Sequence, residues 1–485
     1  MKTIHSCVQI LSDEEISQIH ETTKKVLWEV GCRLPHPRIQ SMFQARGARV
    51  DAGSGIVFIP PDLVEEALAG VKKYGPPHAQ ERAAGQAAPI RFHNFRVGPG
   101  NQANMIDYQA SSRRLGTVED VIRGIVLCNE LPHIGWTMPL VTPADVPGFL
   151  GDVYGYYLCA LYSRKPFGVY ILSPGAARDI IRIWDLIKDI PGRFVSRPDI
   201  SYLLEPNGSL SYDRYSLEMC LVFADAGYPF NPGPMTMAGL DGPVTLAGTL
   251  VLQNAVNLVS VVMAYLMGAA GAWGGSAHTL DLRTMLCSFG SPNQVLLGFG
   301  AIQLGNFYGF DVGVNSGLTD ACLPDFQSGF EKGMTSIAAL LGGAAHIGAQ
   351  AIVGADQGTS LEQLVIDDEW ASALDHIFSR GLEVNEDTLA LEVIRQVGVG
   401  GSYLAEEHTR KHMRSTYWKA NLFNQASWDA WYSDGGKDVY AKAHDKVEAI
   451  LRRCYPPQPL VDPTTHAALD AILAEASAHP ERYAL

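Results

Sequence analysis

The chain has 485 residues, 47% of them hydrophobic, which is enough to bury a large core. Its 37 Lys and Arg against 51 Asp and Glu leave a formal charge of −14. That acidic balance speaks against nucleic acid and anionic membranes as partners, since both call for basic patches.

The opening segment MKTIHSCVQILSDEE has no apolar stretch of the kind a secretory signal needs, so a cytoplasmic protein is expected. Ser12–Asp13–Glu14–Glu15 reads as a helix start, with Ile16, Ile19, Val26, Leu27 and Val30 at helical spacing and Gly31 as the stop. Pro60–Pro61–Asp62–Leu63 opens another helix that runs to about Val71. Residues 73–89, rich in Pro, Gly and Ala, read as a linker. Residues 1–90 are therefore expected to form a helical extension.

An alternation follows. Strands are expected over 91–107, 134–140, 166–172, 201–205, 230–237, 272–279, 312–317 and 344–353. Helices are expected between them over 118–131, 149–162, 176–190, 215–226, 246–267, 295–306 and 326–341, with a last one over 361–379. About eight βα units favour an α/β chain closed into a (β/α)₈ TIM barrel over 91–381. A doubly wound sheet would show a glycine-rich phosphate turn after an early strand, and Gly298–Phe299–Gly300 lies in a helical pattern instead. Residues 382–485 are expected to form a second helical extension packed on the barrel. The stretch from Pro243 to Leu280 carries no charge, but Gln253, Asn254, Asn257 and five glycines interrupt it, so it reads as a core helix and strand rather than a membrane span. Eight scattered cysteines without a CxxC pair read as reduced thiols, mostly small buried hydrophobes.

In such a barrel, polar residues at the C-terminal strand ends carry the chemistry. In chain order these are Phe95 and Asn101, Trp136, Tyr170, Glu205 and Asn207, Asn231, Ser276 and His278, Asn315 and Asp320, His346, then Asp356 and Gln357. Asn, Gln, His, one Glu and several aromatics suit a small polar or cationic ligand. Glu205 and Asp320 could also form a glycosidase-like carboxylate pair. His408 and His412 share a helical face, but no third ligand is placed by the sequence and the order is not HExxH, so no metal is expected. Cys322 sits at a strand–helix junction, where a thiolate is favoured.

Several blocks, in order along nearly the whole chain, resemble the trimethylamine methyltransferase superfamily. They are Leu11–Glu15 with Glu29–Val30–Gly31, Ile59–Ala67, Met138–Pro139 with Asp145–Val146–Pro147, Gly317–Asp320 through Gln327, Gly329 and Glu331, and Glu407–His408–Thr409 with Arg414. The resemblance implies a barrel that moves a methyl group from an amine to Co(I) of cobalamin, free or carried by a cognate corrinoid protein. Founding members use pyrrolysine, in the stretch that here reads Asp320–Ala321–Cys322. Ordinary residues there imply a quaternary amine donor, because a quaternary nitrogen has no lone pair to add to pyrrolysine's imine. Glycine betaine is the first expectation, then proline betaine, carnitine and γ-butyrobetaine. A betaine-binding barrel without transfer activity is the alternative.

The resemblance and the strand-end placement together give Glu205, Asp320 and His346 as the catalytic set. Phe95, Trp136, Tyr170 and Trp273 are the aromatic cage candidates, and Asn231, His278, Asn315 and Gln357 the further substrate-binding candidates. No nucleic acid and no membrane is expected as a partner, and a homo-oligomer is.

Overall fold

The computed structural model describes residues 7–74, 97–107, 112–193, 200–348 and 350–484. The helix Asp13–Glu29 starts where the sequence places it, with Ser12 and Glu15 forming a reciprocal capping box. Its buried face, including Ile16, Ile19 and Leu27, packs on the long helix Leu246–Met267. An amide donor in that seam serves both neighbours. Asn254 Nδ2 donates to Thr23 Oγ1 and to the Tyr308 hydroxyl, each at 2.9 Å. The N-terminal region also contains a small antiparallel sheet of Cys32–Arg33, Ile56–Phe58 and Arg49–Asp51. Runs of two or three residues are too short for a period-two pattern to register in the sequence.

Leu246–Met267 is, among the described residues, the one helix long and apolar enough to cross a membrane. It lies mostly inside the protein, and its polar residues explain why. Gln253 Oε1 accepts the Ala277 N–H at 2.7 Å. Asn257 both accepts the Gly274 N–H (3.0 Å) and donates to the Gly274 carbonyl (2.9 Å). These side chains stitch the helix to the strand Trp273–Gly275, a use for polar groups that lipid would not offer.

The centre is an α/β arrangement in which neighbours in sequence pair in parallel. Single bridges join Val97 to Ile134, Gln102 to Val141 and Thr137 to Phe167. Ladders then join Tyr202–Leu204 to Phe230–Pro232, Met237–Ala238 to His278–Thr279, Trp273–Gly275 to Val312–Val314, and Gly313–Val314 to His346–Ile347. The last segment returns to the first: Gln350 N–H donates to the Gly98 carbonyl and its own carbonyl accepts from Gly100, both at 3.0 Å. The expected closure is nevertheless incomplete. Among the described residues no backbone hydrogen bond joins 167–172 to 202–204, so the sheets form an open series of short ladders. Gly98–Pro99–Gly100, Pro232–Gly233–Pro234 and Gly313 account for their shortness, because proline removes a ladder donor and glycine weakens a strand. Antiparallel pairs extend three of the segments, Asn104–Asp107 with Ser112–Leu115, His278–Asp281 with Leu286–Ser288 and Ile352–Val353 with Gly358–Thr359.

Helices cover the outside of the sheets. Val439–Cys454 packs on Leu361–Asp375 and Val118–Glu130, and Pro463–Ala478 on Pro174–Ile187 and Gly151–Tyr162. The segment before Val439 is anchored by Glu369, whose Oε1 accepts the N–H groups of Asn421 (2.7 Å), Leu422 (2.9 Å) and Phe423 (3.2 Å).

Candidate active site

A cavity of about 580 Å³ opens beyond the C-terminal ends of the parallel segments. It is lined by the residues that follow them, including Asn101 and Gln102, Tyr170, Glu205 and Asn207, Met235, Asn315, Gln350 and Asp356. Ligands of α/β folds bind at this end because the loops there are free to vary while the strands hold them. A second groove, about 490 Å³, runs over the outer helices, but its charges are paired, Arg38 with Asp225, Arg178 with Glu218, and Arg182 with Asp179 and Glu475.

Local sequence explains how each wall is set. The apolar strand Tyr202–Leu204 ends at Glu205–Pro206, and Pro206 has no N–H to continue a ladder. Gly233 stands opposite: a Cβ there would lie 2.7 Å from Glu205 Cγ, so only glycine leaves the glutamate its place. On the far wall, Gln350, Ala351, Ala355 and Asp356 all have positive φ (55°, 54°, 53° and 67°). Such a conformation costs about 1–3 kcal/mol per non-glycine residue and persists where surroundings enforce it. Here the enforcement comes from beneath. Asp367 Oδ2 accepts the Ala351 N–H at 2.9 Å, and Thr359 Oγ1 donates to the Ala351 carbonyl at 2.9 Å. Lys332 Nζ lies 3.2 Å from Asp367 and donates to the Gly317 carbonyl at 2.8 Å. One buried ion pair thus supports both the Gln350 wall and the loop after Asn315.

A relay fixes Asn315. Gln350 Nε2 donates to Asn315 Oδ1 (3.0 Å), Asn315 Nδ2 donates to His278 Nε2 (3.2 Å), and His278 Nδ1 donates to Gln294 Oε1 (2.7 Å). Gln294 Nε2 closes the loop on the Asn315 carbonyl at 3.1 Å. The tautomer follows from Asn315 being a donor there. Full burial pushes the His278 pKa down to about 4, so the ring stays neutral and the relay keeps one polarity.

The electrostatics of the cavity are one-sided. Its described lining contains Asp152, Glu205, Asp213 and Asp356, and no Lys, Arg or His. Glu205 is open to the cavity yet crowded by protein, and burial together with the Asp356 charge holds its carboxyl above the usual range. Burial raises Asp356 as well, opposed by the hydrogen bond from Gln102 Nε2. Burial, then the nearby Glu205 and Asp356, push the Tyr170 hydroxyl up to about 12.

Of the strand-end residues expected from sequence, Asn101, Tyr170, Glu205, Asn207, Asn315 and Asp356 line this cavity, and His278 stands directly behind Asn315. Asp320 does not line it. Its carboxylate accepts from Ser288 Oγ (2.9 Å) and from the Phe289 N–H (2.6 Å), which holds Phe289 in the cavity wall. Gln357 turns its Oε1 to Arg113 Nη1 at 3.0 Å, and its neighbour Asp356 takes the cavity position. Trp136, Asn231 and His346 are also outside the lining, because they sit within the paired segments rather than beyond them. The Trp136 and His346 rings cover Gly98 and Gly313, and Asn231 Nδ2 donates to Ser201 Oγ at 2.9 Å. Part of the His346 surface is exposed, yet crowding by surrounding protein lowers its pKa. Trp273 packs outward, 4.8 Å from Tyr308 and 5.6 Å from Phe310 between ring centres. Phe95 lies outside the described residues. Gln350, Gln294 and Asp152 gave no signal in the sequence. Asp152 opens an apolar helix, where its buried carboxylate accepts the Leu172 N–H at 2.9 Å.

Away from the cavity, Asp387 joins His408 and His412, their ligand atoms lying within 4.8 Å of one another. Lys411 Nζ is 2.7 Å from the same aspartate, so an ammonium already occupies the carboxylate.

The model of the trimethylamine methyltransferase (MTTB) family matches residues 1–479. The chain belongs to the trimethylamine methyltransferase family. It is similar to a glycine betaine methyltransferase of Desulfitobacterium hafniense (29% identity, 96% of each chain). It is also similar to trimethylamine methyltransferases of that species (28%, covering 96% of this chain and 93% of the relative) and of Methanosarcina barkeri (30%, 92% and 91%). Among solved structures, the Methanosarcina barkeri monomethylamine methyltransferase aligns over 90% of this chain and 92% of its own, at 14% identity and a TM-score of 0.46.

Proposed function

We propose that this member of the trimethylamine methyltransferase family moves a methyl group from a quaternary amine to Co(I) of a corrinoid protein. The observation that carries the reading is the cavity, in which Glu205, Asp356 and the Tyr170 ring converge without a basic side chain in the described lining. A quaternary ammonium offers no N–H, so only charge and aromatic faces recognise it, at roughly 0.5–2 kcal/mol per ring. The ordinary residues Asp320–Ala321–Cys322 support a quaternary donor over trimethylamine. The order of parallel pairing, with Gln350 returning to Gly98 and Gly100, supports a (β/α)₈ barrel over 91–381 with this cavity as its mouth, flanked by helical extensions over 1–90 and 382–485.

In the transfer, the C–N bond breaks and nitrogen keeps the electron pair. The methyl carbon takes its new pair from Co(I), and a neutral tertiary amine departs. The residues here contribute binding and aim. Glu205 and Asp356 hold the cation, Tyr170 faces it, and the Gln350–Asn315–His278 relay fixes the wall opposite Glu205 so that one methyl group points outward. Cobalamin is the acceptor, free or on a cognate corrinoid protein, and this chain needs no pyrrolysine for the step. Glycine betaine is the reference donor, since a relative of that name matches over 96% of the chain.

The test is the loss of the cob(I)alamin absorbance with a panel of quaternary amines and trimethylamine. Quaternary amines are expected to methylate cob(I)alamin and trimethylamine is not. Comparable turnover of trimethylamine would sink the quaternary reading, and donor binding without any methylation would mean a binding protein.

A further inference from the structure

Glycine betaine carries a carboxylate as well as a quaternary nitrogen, and a cavity built for it would place a cation or free donors against that group. The cavity here offers the reverse. Its described lining holds four carboxylates and no Lys, Arg or His. Four of the five side-chain amides that line it are already engaged: Asn101 Nδ2 on the Pro139 carbonyl (2.8 Å), Gln102 Nε2 on Asp356, Gln350 Nε2 on Asn315 (3.0 Å) and Asn315 Nδ2 on His278 (3.2 Å), which leaves Asn207, a neutral donor beside Glu205, as the exception. Two of the acids are likewise used in the fold. Asp152 accepts backbone N–H groups of Val153 and Leu172, and Asp213 caps the helix Arg214–Asp225.

Glu205 and Asp356 remain. They are exposed to the cavity, come from opposite walls, and neither has a cationic partner among the described ion pairs. Two carboxylates facing one space without a counter-ion repel each other, and burial raises the cost of both charges. The neutral donor Gln102 Nε2 on Asp356 offsets this only in part, and no described cation does. A single positive charge between them does, and it does so best if it brings no negative charge of its own.

We propose that this cavity selects methyl donors of net positive charge, quaternary ammonium ions with no carboxylate, over zwitterionic betaines. The proposal rests on the quaternary-amine reading above and narrows its substrate class. Choline and tetramethylammonium represent the favoured class. A betaine places its carboxylate within the same acidic walls, where it meets repulsion instead of a partner.

The experiment is calorimetric titration of the full chain, near neutral pH, with choline, tetramethylammonium, glycine betaine and the neutral choline isostere 3,3-dimethyl-1-butanol. Choline is expected to bind about tenfold or more tightly than glycine betaine, with the neutral isostere also well below choline. Glu205→Gln is expected to weaken choline about tenfold and to leave glycine betaine unchanged or improved. Asp356→Asn gives a second variant, because asparagine tolerates the positive φ at that position. If one variant fails to fold by circular dichroism, the other carries the comparison. Glycine betaine binding as tightly as choline to the unmodified protein overturns the proposal, as does absence of binding by both cations. The binding order separates this from the transfer reading. Cation-selective binding without methylation of cob(I)alamin removes the transfer reading and keeps this one. Glycine betaine as the tightest ligand and best donor does the opposite.

Discussion

Removing the ammonium of Lys332 tests whether the walls of the cavity depend on the ion pair beneath them. Lys332 and Asp367 have side chains 2% and 0% exposed and lie 3.2 Å apart. Asp367 also accepts from Ala351 N–H (2.9 Å), Gln363 Nε2 (2.8 Å) and Trp370 Nε1 (2.8 Å). Lys332→Met keeps the aliphatic stem and deletes the charge, which leaves Asp367 buried without its counter-ion. Breaking such a pair from one side costs about 3–5 kcal/mol. With roughly 2.1 cal/mol/K of unfolding entropy per residue, a 485-residue chain loses about 1 kcal/mol per degree, so the Tm is expected to fall by roughly 3–5 °C. The double variant Lys332→Met with Asp367→Asn removes both charges and is expected to recover part of that loss, a coupling on the order of 1–3 kcal/mol. Scanning calorimetry of the two single variants and the double reads this directly. Choline affinity should fall in the Lys332→Met variant as well, because Asp367 fixes the backbone beside Gln350. A Tm unchanged in Lys332→Met, or a double variant worse than the sum of the singles, refutes the reasoning.

Tyr170→Ala is expected to weaken choline by about 2- to 30-fold, with Tyr170→Phe near the parent protein, since the ring face and not the hydroxyl meets the cation; equal losses in both would place the contact elsewhere. His278 titrates near 6.5 when unfolded and at about 4 when folded. Between those values the unfolded chain holds the extra proton, so stability falls as pH falls from 6.5 toward 4, a contribution on the order of 3 kcal/mol. His278→Gln should show a shallower acid loss of Tm over that window, and an unchanged slope would remove histidine as its source. Trp136→Ala empties the space over Gly98 and, the side chain being half-buried, is expected to cost about 1–3 kcal/mol of stability while choline affinity stays within about twofold, read by thermal denaturation and titration of the folded fraction. A normal Tm with lost affinity would return Trp136 to the binding site.

Much of the local structure was legible because its signals are local. Ser12 with Glu15 and Thr117 with Asp120 announce helix starts, and the structure forms a capping box at each. The alternation of apolar runs with helical periodicity gave the α/β class, and the polar interruptions Gln253, Asn254 and Asn257 distinguished a core helix from a membrane span. Family membership too is a property of the sequence, carried by blocks spread from Leu11 to Arg414. Glu205, Tyr170 and Asn315 could be placed at the cavity because each belongs to the end of an apolar run that reads as a strand.

What the sequence could not decide is which of two adjacent polar residues faces inward and how far a paired segment extends. Asp356 and Gln357 read alike, and two consecutive left-handed residues turn the aspartate into the cavity and the glutamine out to Arg113. Trp136, Asn231 and His346 read as strand ends, but the pairing continues past them, so they sit inside the sheets. Gln350, Gln294 and Asp152 meet the site only through contacts between residues far apart in the chain. Charge composition gave an overall excess of acid. Only the tertiary structure gathered four of those acids around one cavity without a described cation to oppose them, because whether charges face each other depends on distances between loops that no local pattern encodes.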